Sequence, residues 1–449
     1  MTDALERELA DVVGAQHVLS DADTRAPYET DWTRRFGAPS RLVVRPGSTD
    51  EVSRVVRLCA AAHAAVVPQG GNTGLVGGGV PRSGEVVLSL RRLDDITGVD
   101  AVSRRLVAGA GATTADVQRA AQTVSLDFGV DLASRDSATV GGMIATNAGG
   151  IRVIRHGTMR AQLLGIEAVL ADGSVVSRLA APAHDNGGYD LAGLLTGSEG
   201  TLGVITRAAL RLVTAPRERA VALIGVDGTE HALRVAAGLR ALASLDALEI
   251  LYADGLALVC ADGHLRAPLE SERAAYVLVE VAGDAAESLL GAAIEAMDLA
   301  DVALAVASDD RRRLWAYREG LPQAIAAAGV PHKLDVALPL DRLAAFVSEV
   351  GPLVASFESA ARCIVFGHLG VGNLHVNVLG LEPHNEKADD AVLRLVVELG
   401  GSVGAEHGIG SAKRDWLPLI RSAADLAAMR AIKRALDPQD LLNPGVLLP

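Results

Sequence analysis

Pro68-Gln69-Gly70-Gly71-Asn72-Thr73-Gly74-Leu75-Val76-Gly77-Gly78-Gly79 follows the apolar run Ala64-Ala65-Val66-Val67 and places six glycines in a dozen residues. The apolar run reads as a short buried strand. Without Cβ atoms in the way, backbone N–H groups can close on an anion, so the stretch reads as a cradle for a diphosphate. A Walker loop would end in Lys-Ser/Thr, and a dinucleotide fingerprint would open a helix with spaced glycines; neither feature is present. A tight connection between two elements would use similar residues, so the reading depends on the rest of the chain.

Two further segments are rich in glycine and small residues. One runs from Asp131-Leu132-Ala133 to Ser137-Ala138-Thr139-Val140-Gly141-Gly142-Met143-Ile144-Ala145-Thr146-Asn147-Ala148-Gly149-Gly150, and the other is Gly197-Ser198-Glu199-Gly200-Thr201-Leu202-Gly203-Val204-Ile205-Thr206. Three such segments in the first half suit a long ligand lying against backbone. Around them, residues 5–15 read as a short helix and residues 21–40 as polar and irregular. Leu42-Val43-Val44 begins a strand, and residues 49–52 cap a helix in which Val52, Val55, Val56 and Leu58 recur at helical spacing. Residues 86–90 and 105–108 read as strands. Ala108-Gly109-Ala110-Gly111-Ala112-Thr113-Thr114 imitates a nicotinamide-dinucleotide fingerprint, but Thr114 holds its third glycine position, and a strand-to-helix turn is the better reading.

The 449 residues are 49% apolar and 22% charged with a net charge of −13, which suits two or three globular domains. That charge argues against a nucleic-acid surface, and an anionic substrate must be met by a local basic pocket. Cys59, Cys260 and Cys363 are widely spaced in apolar surroundings, as buried thiols in a reducing compartment would be. No window reaches about 18 uninterrupted apolar residues. The acidic start Met1-Thr2-Asp3-Ala4-Leu5-Glu6 lacks the charged-then-apolar pattern of a signal, so no leader is expected. The expectation is a soluble, cytoplasmic protein without a transmembrane segment.

Thr214-Ala215-Pro216-Arg217 reads as a domain boundary. Beyond it, strands at 220–224 and 276–281 alternate with helices at 232–242 and 285–297, which suits an antiparallel sheet with helices on one face. Ile364-Val365-Phe366-Gly367-His368-Leu369-Gly370-Val371-Gly372-Asn373-Leu374-His375-Val376-Asn377-Val378 is a hairpin pattern. A loop of Val371-Gly372 or of residues 370–373 would set Leu369 opposite Leu374 and His368 opposite His375. Opposed side chains share a face with Cβ atoms about 4.5–5.5 Å apart, and Asn377 joins that face. With Ala405-Glu406-His407-Gly408-Ile409-Gly410 downstream, two imidazoles and a carboxylate form a common catalytic zinc set; manganese or iron would accept the same ligands. Upstream, residues 311–319 read as a helix carrying Arg318, and residues 330–339 as a strand carrying Lys333.

The cradle, the Ala138-Thr139-Val140-Gly141-Gly142 to Asn147-Ala148-Gly149-Gly150 block and Gly200-Thr201-Leu202-Gly203-Val204-Ile205 resemble the flavin domain of the vanillyl-alcohol-oxidase superfamily. More narrowly, from about residue 40 onward the chain is similar to the FAD-linked D-2-hydroxy-acid dehydrogenases: D-lactate dehydrogenase, the glycolate oxidase flavoprotein subunit and D-2-hydroxyglutarate dehydrogenase. The resemblance implies an α+β protein. A two-subdomain PCMH-type FAD-binding domain at 37–216 would follow an N-terminal helix and irregular segment at 1–36. An α+β cap at 217–449 would end in a helical segment returning to the flavin through Asp437-Pro438-Gln439-Asp440-Leu441-Leu442-Asn443-Pro444-Gly445.

The residues implied to hold FAD are Pro68, Gly70, Gly71, Asn72, Thr73, Gly74 and Gly77 of the cradle; Asp131, Ser137, Thr139, Gly141, Gly142, Asn147, Gly149 and Gly150; and Glu199, Gly200, Gly203, Val204, Ile205 and Asn443. Asn72 stands where some members carry a tethering histidine, so the flavin is expected to be non-covalent. His368, His375 and Glu406 match the family's metal ligands, with zinc as the first choice, and His407 its catalytic, substrate-contacting histidine. Arg318 and Lys333 match the basic residues that hold the substrate carboxylate, and Asn377, on the histidines' face, is expected to help orient it. Two departures stand out. Val371 replaces a usual Asp, and because a β-branched residue resists positive φ the wider hairpin loop is expected. Pro322 replaces a hydroxyl residue that would help with a distal carboxylate. The implied reaction is oxidation of a D-2-hydroxy acid, D-2-hydroxyglutarate before D-lactate, with an electron-transfer flavoprotein or quinone as acceptor and a homodimer as the candidate assembly. The rival readings are an alkylglycerone-phosphate-synthase-like flavin transferase and a non-catalytic flavoprotein subunit of an electron-transfer complex.

Overall fold

The computed structural model describes residues 4–180, 182, 185–261, 264–382 and 385–449. Met1 to Asp3, part of the start read as no leader, lie outside them. The chain forms two compact units. The first comprises Met1–Gly150, His156–Ala215 and His407–Pro449, and the second Ile151–Arg155 and Pro216–Glu406. Among the described residues no helix is long and apolar enough to cross a membrane.

The first unit is α+β, with a four-stranded and a six-stranded sheet. In the smaller sheet, Leu42–Val44, Val86–Ser89 and Val66–Gln69 run parallel, with Val18–Leu19 antiparallel at the edge. Val43, Val44, Val66, Val67 and Val86 to Leu88 are wholly buried, as a parallel sheet covered on both faces requires. Helix Thr49–Ala61 lays Val52, Val55, Val56 and Cys59 on this core. Its cap is Ser48, one residue before the expected one: Ser48 Oγ accepts from Glu51 N at 3.1 Å. The glycine stretch leaves the end of strand Val66–Gln69. Residues 21–40, expected to be irregular, contain the helix Ala22–Glu29, because Asp21 accepts the N–H groups of Asp23 and Thr24. Near the C-terminus, Leu442 pairs in parallel with Val66, and the Asp437 carboxylate accepts the N–H groups of Leu441 and Leu442.

The second unit is built on one antiparallel sheet of seven strands: β1 (Arg219–Val226), β2 (Leu245–Tyr252), β3 (Ala275–Ala282), β4 (Val302–Ala305), β5 (His332–Ala337), β6 (Arg362–His368) and β7 (Asn373–Leu379), in the order β4-β1-β3-β2-β6-β7-β5. Helices Ala253–Cys260, Ser308–Glu319 and Leu321–Ala328 share a core with one face, where Leu314, Trp315, Leu321 and Ile325 meet Val221, Leu223, Leu251, Tyr276, Ile364 and Phe366. Helices Thr229–Leu239, Ala286–Ala296, Leu343–Ala355 and Glu386–Glu398 also pack on the sheet, outside that cluster.

The hairpin register corrects the sequence reading. His368 lies opposite Asn373, Gly367 opposite Leu374 and Phe366 opposite His375. The four-residue loop is 369–372, one position earlier than expected. Positive φ falls on Gly372 (φ 71°), where a Cβ would run into the Leu338 carbonyl, so Val371 is spared it. The slip is by two residues, which preserves side-chain parity. His368 and His375 remain on one face, with ring centroids 5.3 Å apart.

Asp246 of β2, 2% exposed, anchors this unit. It accepts from Arg155 Nη1 at 2.9 Å and Arg219 Nη1 at 2.8 Å and pairs with Arg152 Nε at 3.6 Å, tying residues 151–155 into the unit. Arg219 also pairs with Glu280, whose other oxygen accepts Trp315 Nε1 at 2.6 Å. Burial pushes the Asp246 carboxyl up, but Arg152, Arg219 and Arg155 together outweigh it and hold it below the ordinary range. Its contribution to stability is therefore full above the unfolded-state value of about 4 and is lost as pH falls through the lower folded value. Asp246→Asn should cost about 3 kcal/mol in urea unfolding at neutral pH, since it strands buried guanidinium charge, and that deficit should shrink at acid pH. A deficit independent of pH would refute the charge argument.

Candidate active site

One face of the second unit's sheet collects most of the side chains selected from the sequence in this unit. Strand pairing aligns Leu251, Phe366, His375 and Asp335 in one row and Ile364, Asn377 and Lys333 in the next. With a two-residue strand period, His368 and Asn373 lie on the same face. Ser402 bridges Ala337 at the edge of β5, and four residues on Glu406 arrives with its N–H donated to Asp335 Oδ2 at 2.7 Å. His368, His375 and Glu406 each offer a ligand atom within 4.8 Å of the others, and His368 Nε2 is 3.2 Å from Glu406 Oε2.

Each imidazole has a carboxylate behind it. His368 Nδ1 lies 2.6 Å from Glu249 Oε1, and His375 Nδ1 lies 3.3 Å from Asp335 Oδ1, which also accepts Asn373 Nδ2 at 2.8 Å. Such pairs fix the orientation of each ring. The donor set of two imidazoles and a carboxylate, with both rings oriented from behind, fits a divalent ion. Burial disfavours the charged form of His368, but Glu249 and Glu406 more than offset it and raise its pKa to about 10. A proton and a cation would thus compete for the same nitrogen.

Arg318, on helix Ser308–Glu319, is buried, donates from Nε to Glu249 Oε2 at 2.7 Å, and sets its guanidinium carbon 4.5 Å from the Phe366 ring centroid. Lys333 is half-buried opposite Asn377, and burial lowers its ammonium pKa. Asn377 Nδ2 lies 3.4 Å from the carbonyls of Ile364 and His375. By contrast, Arg312 and Arg313 pair with Asp309 and Asp310 on an exposed helix face. Pro322 sits in the first turn of helix Leu321–Ala328. His407 follows Glu406 in the chain and belongs to the first unit.

Within the first unit the glycine segments converge. A Cβ on Gly70 would land on Thr139 Oγ1, one on Gly71 on the Ser137 carbonyl, one on Gly141 on Ala110, and one on Gly200 within 3.3 Å of Pro68. Gly77 abuts Ser411, whereas Gly74 faces open space and Thr73 is half-buried. Asp131 bridges Gly150, next to Gly149, and pairs with Arg135 at 3.3 Å. Asn147 ends helix Val140–Thr146 in the left-handed region, and Asn72 (φ 55°) donates to the Thr30 carbonyl. Gly203 leads into strand Val204–Thr214, with Val204 and Ile205 buried. Thr139 Oγ1 is buried beside Gly70 without a hydrogen-bond partner, and with the Cβ-free backbone around it this makes a polar cradle that fits a flavin.

Like Asn72 and Asp131, Asn443 and Glu199 spend their side chains on the protein itself. Asn443 donates to the carbonyls of Gly78 and Glu199, at 2.8 and 2.7 Å. Glu199 accepts the N–H groups of Ile409 and Gly410; burial raises its pKa to about 7 despite those bonds and Lys413. Sequence reasoning gave no role to Glu249 or Asp335. The available signal was an acid inside the apolar strand Leu245–Tyr252, and an acid two residues after Lys333 and so on its face.

Comparison with known proteins identifies the family. A family described as "FAD linked oxidases, C-terminal domain" matches residues 215–447, and one described as "FAD binding domain" matches residues 40–178. The chain is 38% identical over 463 aligned positions to D-2-hydroxyglutarate dehydrogenase of Xanthomonas citri pv. viticola, covering 100% of this chain and 97% of that one. It is 38% identical to the mitochondrial D-2-hydroxyglutarate dehydrogenase of Bos taurus, covering 96% and 81%. Among solved structures, p-cresol methylhydroxylase with substrate bound superposes with a TM-score of 0.78 at 16% identity over 98% of this chain and 95% of that one. Alkyldihydroxyacetonephosphate synthase gives 0.77 at 18% over 99% and 86%. At these identities the structural likeness shows the fold alone. Two matched domains and full-length relatives together make the chain a member of the FAD-linked D-2-hydroxy-acid dehydrogenases, a flavoenzyme acting on a CH–OH group.

Proposed function

We propose that the chain oxidises D-2-hydroxyglutarate to its 2-oxo acid, with D-lactate as the second choice, using non-covalent FAD and a divalent cation, zinc first, held by His368, His375 and Glu406. The observation that carries this reading is the single sheet face of the second unit, where the two carboxylate-backed imidazoles and Glu406 lie among Lys333, Asn377 and Arg318. The cradle residues of the first unit would hold the flavin. When bound, FAD supplies a hydride acceptor and the cation a Lewis acid for the hydroxyl oxygen.

The chain's own residues do the rest. Arg318, with Nε committed to Glu249, keeps its terminal nitrogens for a carboxylate, and Lys333 and Asn377 complete the grip. Two basic side chains for two carboxylates favour the dicarboxylate, and since Pro322 offers no hydroxyl that task falls on them. His407 takes the hydroxyl proton on a ring nitrogen, a transfer suited to imidazole at neutral pH. Cytoplasmic location, a homodimer, and an electron-transfer flavoprotein or quinone as acceptor complete the proposal.

Under nitrogen, D-2-hydroxyglutarate should bleach the flavin with a higher kcat/KM than D-lactate in stopped-flow absorbance, and the reverse order would overturn the substrate choice. Chelator treatment should abolish turnover and added zinc restore it. His375→Ala should lose at least about 100-fold in kcat while retaining the bound-flavin spectrum. Full activity in metal-free protein would refute the cation's role.

A further inference from the structure

Glu249 has no solvent exposure, and both of its oxygens are committed: Oε1 lies 2.6 Å from His368 Nδ1 and Oε2 2.7 Å from Arg318 Nε. An ionised carboxylate at such depth costs several kcal/mol unless fully paired, and both of its partners belong to the site. One is a ligand of the proposed cation and the other the proposed grip on the acid. The guanidinium is fixed in a second direction by Phe366, 4.5 Å away, whose ring lies 5.1 Å from that of His375. A single carboxylate therefore sets the direction of His368 Nε2 and the plane of Arg318 together.

We propose that Glu249 is a positioning residue that couples the two halves of the site, so that the affinity for the cation and the affinity for the hydroxy acid depend on one another through it. The inference rests on the active-site reading above. His368 is turned towards the cation only while Oε1 holds Nδ1, and Arg318 presents its terminal nitrogens only while Oε2 holds Nε. Whatever displaces one oxygen disturbs the other partner, and coupling between two ligands is reciprocal.

The test uses FAD-loaded protein: the chelator-stripped form is titrated with zinc against a chromophoric competitor, and the form reloaded with saturating zinc is titrated with D-2-hydroxyglutarate by anaerobic flavin bleaching. In Glu249→Gln the amide nitrogen faces a donor, so only one partner can be satisfied. The zinc Kd should rise by about 10–100-fold and the acid concentration for half-bleaching should rise with it, while the flavin stays bound. Glu249→Asp keeps the charge but reaches one partner less well and should move both values by less. It also decides the case if the Gln variant fails to retain FAD. A purely structural role would lower Tm and leave both affinities unmoved. Affinities within about twofold of wild type, or a change in one without the other, would overturn the proposal. Wild-type protein that binds no zinc would refute the reading of the site, and this inference with it.

Discussion

Placing charge on a buried sheet face is the constraint on which the second unit depends. Glu249 and Asp335 are 0% and 2% exposed, yet both lie in strands whose neighbours are apolar. Each is tolerated because it backs an imidazole and accepts a second donor: Arg318 for Glu249, Asn373 and the Glu406 N–H for Asp335. While both rings are neutral, Glu249, Asp335 and Glu406 place more negative charge around them than Arg318 balances. His368 therefore holds a proton strongly, and a divalent ion would meet the same deficit. The acid-lined face and the proposed cation site are one arrangement seen from two sides.

The same sheet shows what an amino-acid sequence can and cannot fix. That His368, His375 and Asn377 share a face was legible, because strand parity survives any register shift of two residues. The register itself was not, since it depends on where the four-residue loop begins, and the loop 369–372 starts one position before the one expected, with positive φ on Gly372. Glu249 was invisible as a partner of His368 because 119 residues separate them and nothing local announces the meeting. Asp335 reaches the Glu406 N–H across 71 residues, with the same consequence. The helix Ala22–Glu29 went unread because its cap, Asp21, sits in a polar stretch lacking an apolar stripe.

The first unit was more legible because its signal is steric. Gly70, Gly71 and Gly141 lie where any side chain would strike backbone or a neighbouring side chain of the adjoining segments, so close approach demands small residues and writes itself into the sequence. How Glu199 and Asn443 would use their polar groups was not written there. Both serve the chain's own backbone, one the N–H groups after Gly408, the other the carbonyls of Gly78 and Glu199.

The strand Val66–Gln69 has a further partner far along the chain. Val66 N donates to the Leu441 carbonyl and Asn443 N to the Val66 carbonyl, each at 2.8 Å. The edge of the first sheet thus stays open, with apolar residues uncovered, until residue 443 has been synthesised. The second unit, whose sheet strands all fall between residues 219 and 379, has its strands complete well before that. The first unit's sheet therefore cannot gain its last backbone partner before the segment around residue 442 is available, whereas the second unit's strands need nothing beyond residue 379.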